Sequence, residues 1–156
     1  MTTKPTDNVV IRTEDPLPMP IDKTGSNDIN QGDLVYMDTT AHQVKPLDTD
    51  AHANGGFAGV AAEGSYIQPY ATKVYSDQIP VYAKGTFRFK STAGDTMHDG
   101  DTCFIGADAQ TITTTDPGSG HSIGVVHLAA GITSLAGGTT VTVEVRITAL
   151  WPKATV

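Results

Sequence analysis

Apolar and polar residues alternate along much of this chain, and the alternation predicts β-strands. In VTVEVRI, residues 141–147, every second residue is apolar. The segment TFRFK, residues 86–90, alternates in the same way and places Phe87 and Phe89 on one face. A period of two residues is typical of a strand with one buried face. No window shows the period of an amphipathic helix.

Turn-forming residues separate the predicted strands at close spacing. The chain of 156 residues contains 16 glycines and 9 prolines, which break helices, whereas its frequent valines and threonines suit a pleated surface. A chain of this length is typical of a single domain. We therefore predict an all-β protein of about 7–9 short strands, folded as a small barrel or as a sandwich.

One unit of the sequence occurs twice. QGDLVYMDTTAHQV at residues 31–44 returns as DGDTCFIGADAQTI at residues 99–112, and each copy is followed by an apolar segment centred on a glycine. A Gly-Asp pair before a strand has a mechanical use, because glycine adopts positive φ and the carboxylate accepts backbone N–H bonds. We therefore interpret Asp33 and Asp101 as structural residues, and the two copies as halves of one closed barrel.

The first 28 residues differ from the rest of the chain, because they contain four prolines and no sustained periodicity. The alternating Pro16, Pro18 and Pro20 remove hydrogen-bond donors and favour extended backbone. We therefore divide the chain into an extended arm, residues 1–28, and a single β domain, residues 29–156. The arm is either a disordered leader or a segment that becomes ordered against a neighbour through apolar anchors.

Charge and cysteine content exclude several classes of protein. The formal net charge is −7 and the ten basic residues are scattered along the sequence, whereas binding to phosphates requires clustered lysine and arginine. We therefore expect neither direct nucleic-acid binding nor adsorption to an anionic membrane. Cys103 is the only cysteine, so no intrachain disulfide can form. The absence of a signal-peptide pattern leads us to expect synthesis in a cytoplasm.

An acidic cluster near the second repeat is the strongest candidate for metal binding. Asp95, Asp99, Asp101 and Asp108 lie close to His98 in the sequence. Their spacing does not fit a calcium-binding EF-hand loop, and the five histidines show no zinc-ligand spacing. We interpret the cluster as solvated turns and expect no metal and no cofactor.

Two further segments have superficial likeness to catalytic motifs. GHSIG at residues 120–124 has the spacing of a nucleophile elbow around Ser122, but a strand is predicted after it, where an elbow requires a helix. Cys103 has no nearby histidine in the sequence to activate it and is expected to be a buried thiol. We therefore predict no catalytic residue, and the chain is not expected to be an enzyme.

The order of the apolar segments resembles that of small capsid decoration (cement) proteins of tailed bacteriophages. The resemblance spans residues 29–148 and is carried by QGDLVYMD, FAGVAAEG, IPVYAKGTFRF, DGDTCFIGAD, IGVVH and VTVEVRI. It implies a β-barrel or β-tulip-like domain on the outer surface of the virion capsid, after synthesis in the host cytoplasm. Such proteins are usually trimers, sometimes dimers, and clamp neighbouring major capsid subunits without a cofactor.

Candidate contacts with the capsid or with a neighbouring copy lie at the two ends of the chain. They are Pro16, Leu17, Pro18, Met19, Pro20 and Trp151. The alternative role of Trp151 is to cap the barrel. Two other functions stay open: a tail or fibre-tip module that binds a receptor or carbohydrate, and a small β-barrel that binds a ligand in a polar pocket.

Overall fold

A computed structural model describes residues 9–13, 15–24, 28–47, 55–67, 74–106, 110–116 and 122–146. Within these ranges the protein is all-β and contains no helix, which confirms the predicted class. The strands are β1 (Val9–Thr13), β2 (Leu17–Pro20), β3 (Leu34–Asp38), β4 (Gln43–Pro46), β5 (Gly55–Ala61), β6 (Tyr66–Ile67), β7 (Val74–Tyr75), β8 (Gln78–Tyr82), β9 (Lys84–Ser91), β10 (Thr96–His98), β11 (Thr102–Ile105), β12 (Thr111–Thr113), β13 (Gly124–His127), β14 (Ser134–Ala136) and β15 (Thr140–Arg146).

The prediction of 7–9 strands was too low, because the described residues form 15 strands. The excess comes mainly from strands of two or three residues, such as β6, β7, β10 and β14. A strand this short spans at most one and a half periods of side-chain alternation, so its sequence carries no detectable pattern.

The second half of the chain forms a closed five-stranded barrel. Its strands pair in the order β9, β12, β11, β13 and β15, and β15 returns to pair with β9. The β12–β9 pair is parallel and the others are antiparallel. A closed ring satisfies the backbone hydrogen bonds of its strands on both sides, so it leaves few free edges.

The first half repeats this topology. Its strands pair in the order β2, β8, β5, β3 and β4, and a parallel bridge between Ile21 and Val44 joins β4 back to the end of β2. Strands β2, β3, β4, β5 and β8 of this first barrel therefore correspond to β9, β11, β12, β13 and β15 of the second barrel.

The strand registers of the two barrels also agree. Pairs of opposite residues in the first barrel have counterparts in the second barrel. Met19–Ile79 corresponds to Phe89–Val141, Met37–Val44 to Ile105–Ile112, Val35–Gly59 to Cys103–Gly124, Ala61–Val81 to Val126–Val143, and Ile21–Val44 to Ser91–Ile112. The repeat seen in the sequence is therefore real, but the interpretation of one shared barrel was wrong. Each copy forms its own ring because the unit also includes β2 or β9, whose sequences differ.

The described part of the N-terminal segment, residues 9–13 and 15–24, belongs to this β domain and is not a separate arm. Its strands are extended, as predicted, but β1 pairs with β9 and β2 pairs with β8. Met19 and Ile21 are buried in the first barrel. The boundary proposed at residue 28 is therefore not a boundary of the fold, because the apolar side chains of this segment complete the core.

The two barrels are joined by a shared hydrophobic core. The interior of the first barrel holds one cluster, which includes Met19, Ile21, Val35, Met37, Val44, Ile79 and Val81. The interior of the second barrel continues into side chains of the first barrel, namely Leu34, Tyr36, Leu47, Phe57 and Val60. Strand β3 is consequently buried along its whole length.

Gly59 provides a test of the packing inside the first barrel. Its φ is +147°, and a Cβ atom there would lie 2.3 Å from the Tyr82 carbonyl oxygen. We expect Gly59→Ala to lower the free energy of unfolding by about 3 kcal/mol, measured by urea denaturation. The matched control is Gly94→Ala, which also has positive φ but meets no atom within 4 Å, and should cost only about 1 kcal/mol. Equal losses would contradict the packing explanation.

Candidate functional site

The two Gly-Asp pairs form the same turn in both barrels. Gly32 and Gly100 have φ values of +83° and +86°. The Asp33 Oδ2 atom accepts the N–H of Asn30 at 2.7 Å, and the Asp101 Oδ2 atom accepts the N–H of His98 at 2.7 Å. The prediction that these carboxylates hold the backbone of their turns is confirmed.

A second position in each repeat also has a positive φ. It is the residue just before the second strand of the hairpin. His42 and Gln110 occupy equivalent positions and both have positive φ, at 56° and 68°. His42 is exposed, whereas Gln110 is 1% exposed. One repeat therefore presents this residue to solvent and the other buries it.

Gln110 connects the two barrels through its side-chain amide. Its Oε1 atom accepts the Leu34 N–H at 2.5 Å, and its Nε2 atom donates to the carbonyl oxygens of Leu34 at 2.9 Å and Leu47 at 3.2 Å. The amide thus lies between Leu34 and Leu47 and bonds to the backbone of both, beside the Leu47 N–H, which donates to the Leu34 carbonyl oxygen at 2.8 Å. This role was not predicted from the sequence, because the bonded residues are 63 and 76 positions away along the chain and the equivalent residue of the first repeat is a histidine.

An ion-pair cluster holds the turn of the first hairpin. The Nζ atom of Lys45 lies 2.6 Å from Asp38 Oδ2 and 3.6 Å from Asp22 Oδ2. The backbone N–H groups of Thr40 and Ala41 donate to Asp38 Oδ1 at 2.8 and 3.1 Å. The hydrogen bond from Lys45 and those from the turn lower the pKa of Asp38 to about 2. This cluster is structural, since its ionised carboxylates accept bonds from the fold itself.

Asp95, the first member of the predicted acidic cluster, has a similar role. It accepts hydrogen bonds from the hydroxyls of Thr113 and Thr114 and from the Thr114 N–H, at 2.9, 2.7 and 2.6 Å. Burial raises the pKa of Asp95, but hydrogen bonds from Thr114 and Thr113 outweigh it, so the pKa lies below its ordinary value. Asp95 therefore anchors the end of β12.

The other acidic residues of this cluster lie at the surface turn before β11. Asp99 accepts the N–H of Leu128 at 2.8 Å, and its Oδ1 atom is 3.9 Å from His127 Nδ1. Asp101 is 3.3 Å from His98 Nδ1. Asp108 lies outside the described residues. Across the described ranges, no group of three or more His, Cys, Asp or Glu side chains is placed to hold a metal ion.

Neither Cys103 nor Ser122, the two residues in segments similar to catalytic motifs, lies in the surroundings that its motif requires. Cys103 is buried, and burial raises the pKa of its thiol to about 12, so the nucleophilic thiolate is scarce at neutral pH. Ser122 is exposed and leads into the strand β13, as predicted. A nucleophile elbow would require a helix at that point.

The predicted partner contacts differ in their accessibility. Leu17 and Pro18 are exposed, and Pro16 and Pro20 are half-buried. Met19 is only 4% exposed, because it faces the interior of the first barrel, so its selection as a surface contact was wrong. Trp151 lies outside the described residues.

Comparison with known proteins does not identify a relative. No protein-family model matches this chain, and no curated protein matches its sequence. None of the described segments forms an apolar helix of membrane-spanning length.

The link between the barrels can be tested at two equivalent positions. Gln110→Ala removes three hydrogen bonds, including the one in which the buried Leu34 N–H donates to the side-chain amide, so the free energy of unfolding should fall by about 2–3 kcal/mol. His42→Ala places alanine in the same left-handed conformation at the surface, and should cost about 1 kcal/mol. Chemical denaturation of both variants isolates the contribution of the buried amide. Similar losses would contradict it.

The ion-pair cluster predicts a dependence of stability on acidity. The pKa of Asp38 is about 2 in the folded protein and 3.8 in its reference state, so its contribution is present above pH 4 and is lost as the pH falls towards 2. The loss attributable to Asp38 should be roughly 2 kcal/mol. The variant Asp38→Asn should show a flatter profile of unfolding free energy between pH 5 and 2.

The matched control for this profile is Asp77→Asn. Asp77 pairs with Lys23 at the surface, where solvent screens the interaction. This variant should keep the acid-dependent loss of the parent protein. A profile as flat as that of Asp38→Asn would contradict the assignment to the Lys45 cluster.

Proposed function

We propose that this protein is a structural virion protein that binds the outer surface of an assembled phage head. It stabilises the capsid lattice by clamping neighbouring major capsid subunits. The observation that supports a binding role over a catalytic one is the use of the polar side chains inside the fold. The class of partner comes from the resemblance of the segment order to capsid decoration proteins.

The internal use of polar groups recurs at several of the polar clusters that the structure describes. Asp33, Asp101 and Asp95 accept bonds from nearby backbone. Gln110 fastens one barrel to the other, and Asp38 holds a hairpin turn. Each of these residues holds a turn or joins the two barrels. We therefore look for the binding function on the outer surface of the protein.

The interiors of the barrels also favour an external function. Each interior holds a cluster of buried hydrophobic side chains, whereas a ligand-binding barrel requires a cavity with a few convergent polar groups. A filled, closed barrel is suited to act as a rigid module. Rigid modules lose little conformational entropy when they bind a fixed lattice.

The charge of the chain is compatible with assembly on a lattice. A formal net charge of −7 opposes association of free copies. On a capsid, many weak contacts add through multivalency. Homo-oligomers, with a trimer favoured over a dimer, would increase this effect.

The candidate contact surface is the outer part of β2. Leu17 is 40% exposed, and with Ile132 it is one of two large exposed hydrophobic side chains among the residues whose side-chain burial the structure describes. The neighbouring Pro18 is exposed as well. An exposed leucine beside prolines offers apolar area whose burial stabilises a complex at little cost in conformational entropy.

Cosedimentation with empty, expanded heads of the cognate phage tests this proposal. The parent protein should saturate the heads, and Leu17→Asp should weaken binding about tenfold, which corresponds to about 1.4 kcal/mol. The matched control is Ile132→Asp, which places the same charge at a similarly exposed residue, in the connection between β13 and β14, and should bind like the parent.

Two outcomes would contradict the proposal. Absence of the parent protein from the pelleted heads would overturn the capsid function and favour another virion module. Binding by the parent that is equally weakened in both variants would overturn the assignment to β2. Deletion of residues 1–28 is not a clean test, because it removes β1, β2 and part of the first core.

A further inference from the structure

Strand β1 is not part of the repeated barrel. The second barrel is closed by the pairing of β15 with β9, and β1 is an additional strand along the other side of β9. The first barrel forms with no equivalent of β1 in the described residues. Removal of β1 from β9 would therefore leave both rings intact.

The directions of the backbone donors show which side of β9 receives β1. The Ser91 N–H donates to Thr139, next to β15, at 2.9 Å, and the following N–H, from Thr92, donates to Ile112 in β12 at 2.8 Å. Odd-numbered residues of β9 therefore donate towards β15 and even-numbered residues towards β12 and β1, since N–H groups alternate along a strand.

The even-numbered residues at the start of β9 each have both a backbone N–H donor and a carbonyl acceptor. Thr86 lies opposite Arg12, and Arg88 lies opposite Val9 in the β1–β9 register. Both residues carry an N–H, and by the alternation along β9 these groups face β1. This side of β9 can thus bind an extended strand through main-chain bonds.

The equivalent side of the first barrel cannot bind a strand in this way. The register equates Thr86 and Arg88 with Pro16 and Pro18. Proline has no N–H, and on a sheet edge it prevents pairing with another strand. In the first barrel, prolines therefore prevent strand pairing at this edge. In the second barrel, the edge can pair with a strand, and β1 occupies it.

We propose that this edge of β9 is a strand-binding site that residues 9–13 of a second copy occupy in place of the chain's own β1. Copies of the protein would then be linked by exchanged strands. The exchange conserves the backbone hydrogen bonds, because the donor strand has the same sequence in each copy. Crowding of copies raises the effective concentration of the donor strand and favours the exchange.

Two features of β1 make the exchange accessible. Its register with β9 comprises four residue pairs and is interrupted between Val10 and Arg12, so few bonds must open to release it. Strand β2 is held separately, by its pairing with β8 in the first barrel. Release of β1 from β9 therefore breaks none of the bonds between β2 and β8.

Cross-linking between full-length chains tests the exchange. One chain carries Val9→Cys and the other Arg88→Cys, because these residues lie opposite each other. After joint refolding at high concentration and mild oxidation, a disulfide-linked heterodimer should appear on non-reducing gels. The control chain carries Lys90→Cys, at an exposed residue of β9 that lies opposite β12, and should give at least about tenfold less heterodimer.

A chain with both Val9→Cys and Arg88→Cys distinguishes exchange from pairing within one chain. Monomeric disulfide in this double variant, together with no heterodimer in the mixture, would show that β1 never leaves its own chain and would overturn the proposal. Heterodimer that is lost on adding Thr86→Pro, with the circular dichroism of the barrels retained, would support it. This experiment uses the protein alone, so its result is separate from binding to phage heads.

Discussion

The enclosure of strand β3 on both faces is the constraint on which the remaining structure depends. Val35 and Met37 face the first barrel, while Leu34 and Tyr36 pack into the core of the second. A strand in this position requires apolar side chains at consecutive positions and partners for its backbone on both sides. Strands β4 and β5 supply most of these partners, and Gln110 supplies the rest at the start of the strand.

This constraint explains why the two repeats have different surfaces. The residues of the second repeat that correspond to Leu34, Leu47 and Phe57 are Thr102, Thr115 and Ser122, and all three are exposed. At these three positions the face that is buried between the barrels carries apolar side chains, and its counterpart, which meets solvent, carries hydroxyl side chains. The duplication preserved registers and turn geometry, while the side chains on the outer faces changed according to what covers them.

Much of the fold could be predicted from the sequence, because its local signals agree with the structure. Alternation identified strands such as β9 and β15, and the Gly-Asp pairs identified the two turns. The interpretation as one barrel was wrong because β2 and β9, the first strands of the repeats, have no common pattern. The proline-rich β2 resembled a free arm, although Met19 and Ile21 bury it in the core.

The site was less predictable, because several of its important contacts join residues far apart in the sequence. The amide of Gln110 acts on Leu34 and Leu47, and Lys45 joins Asp38 to Asp22. Neither arrangement has a characteristic spacing. The alternation of prolines was visible in the sequence. Its effect, which is to prevent strand pairing on one side of β2, can be recognised only once the other side is known to pair with β8.

The distance in sequence between β1 and β9 has a consequence for synthesis of the protein. The ribosome releases β1 first, yet the strand that pairs with it follows the whole first barrel. The first barrel can form as soon as β8 emerges, since domains fold as units during translation. Until the second barrel is complete, β1 has no partner and the apolar side chains of Leu34, Tyr36 and Phe57 stay uncovered. The nascent chain therefore passes through an interval of exposed hydrophobic surface, whose length is set by the rate of elongation.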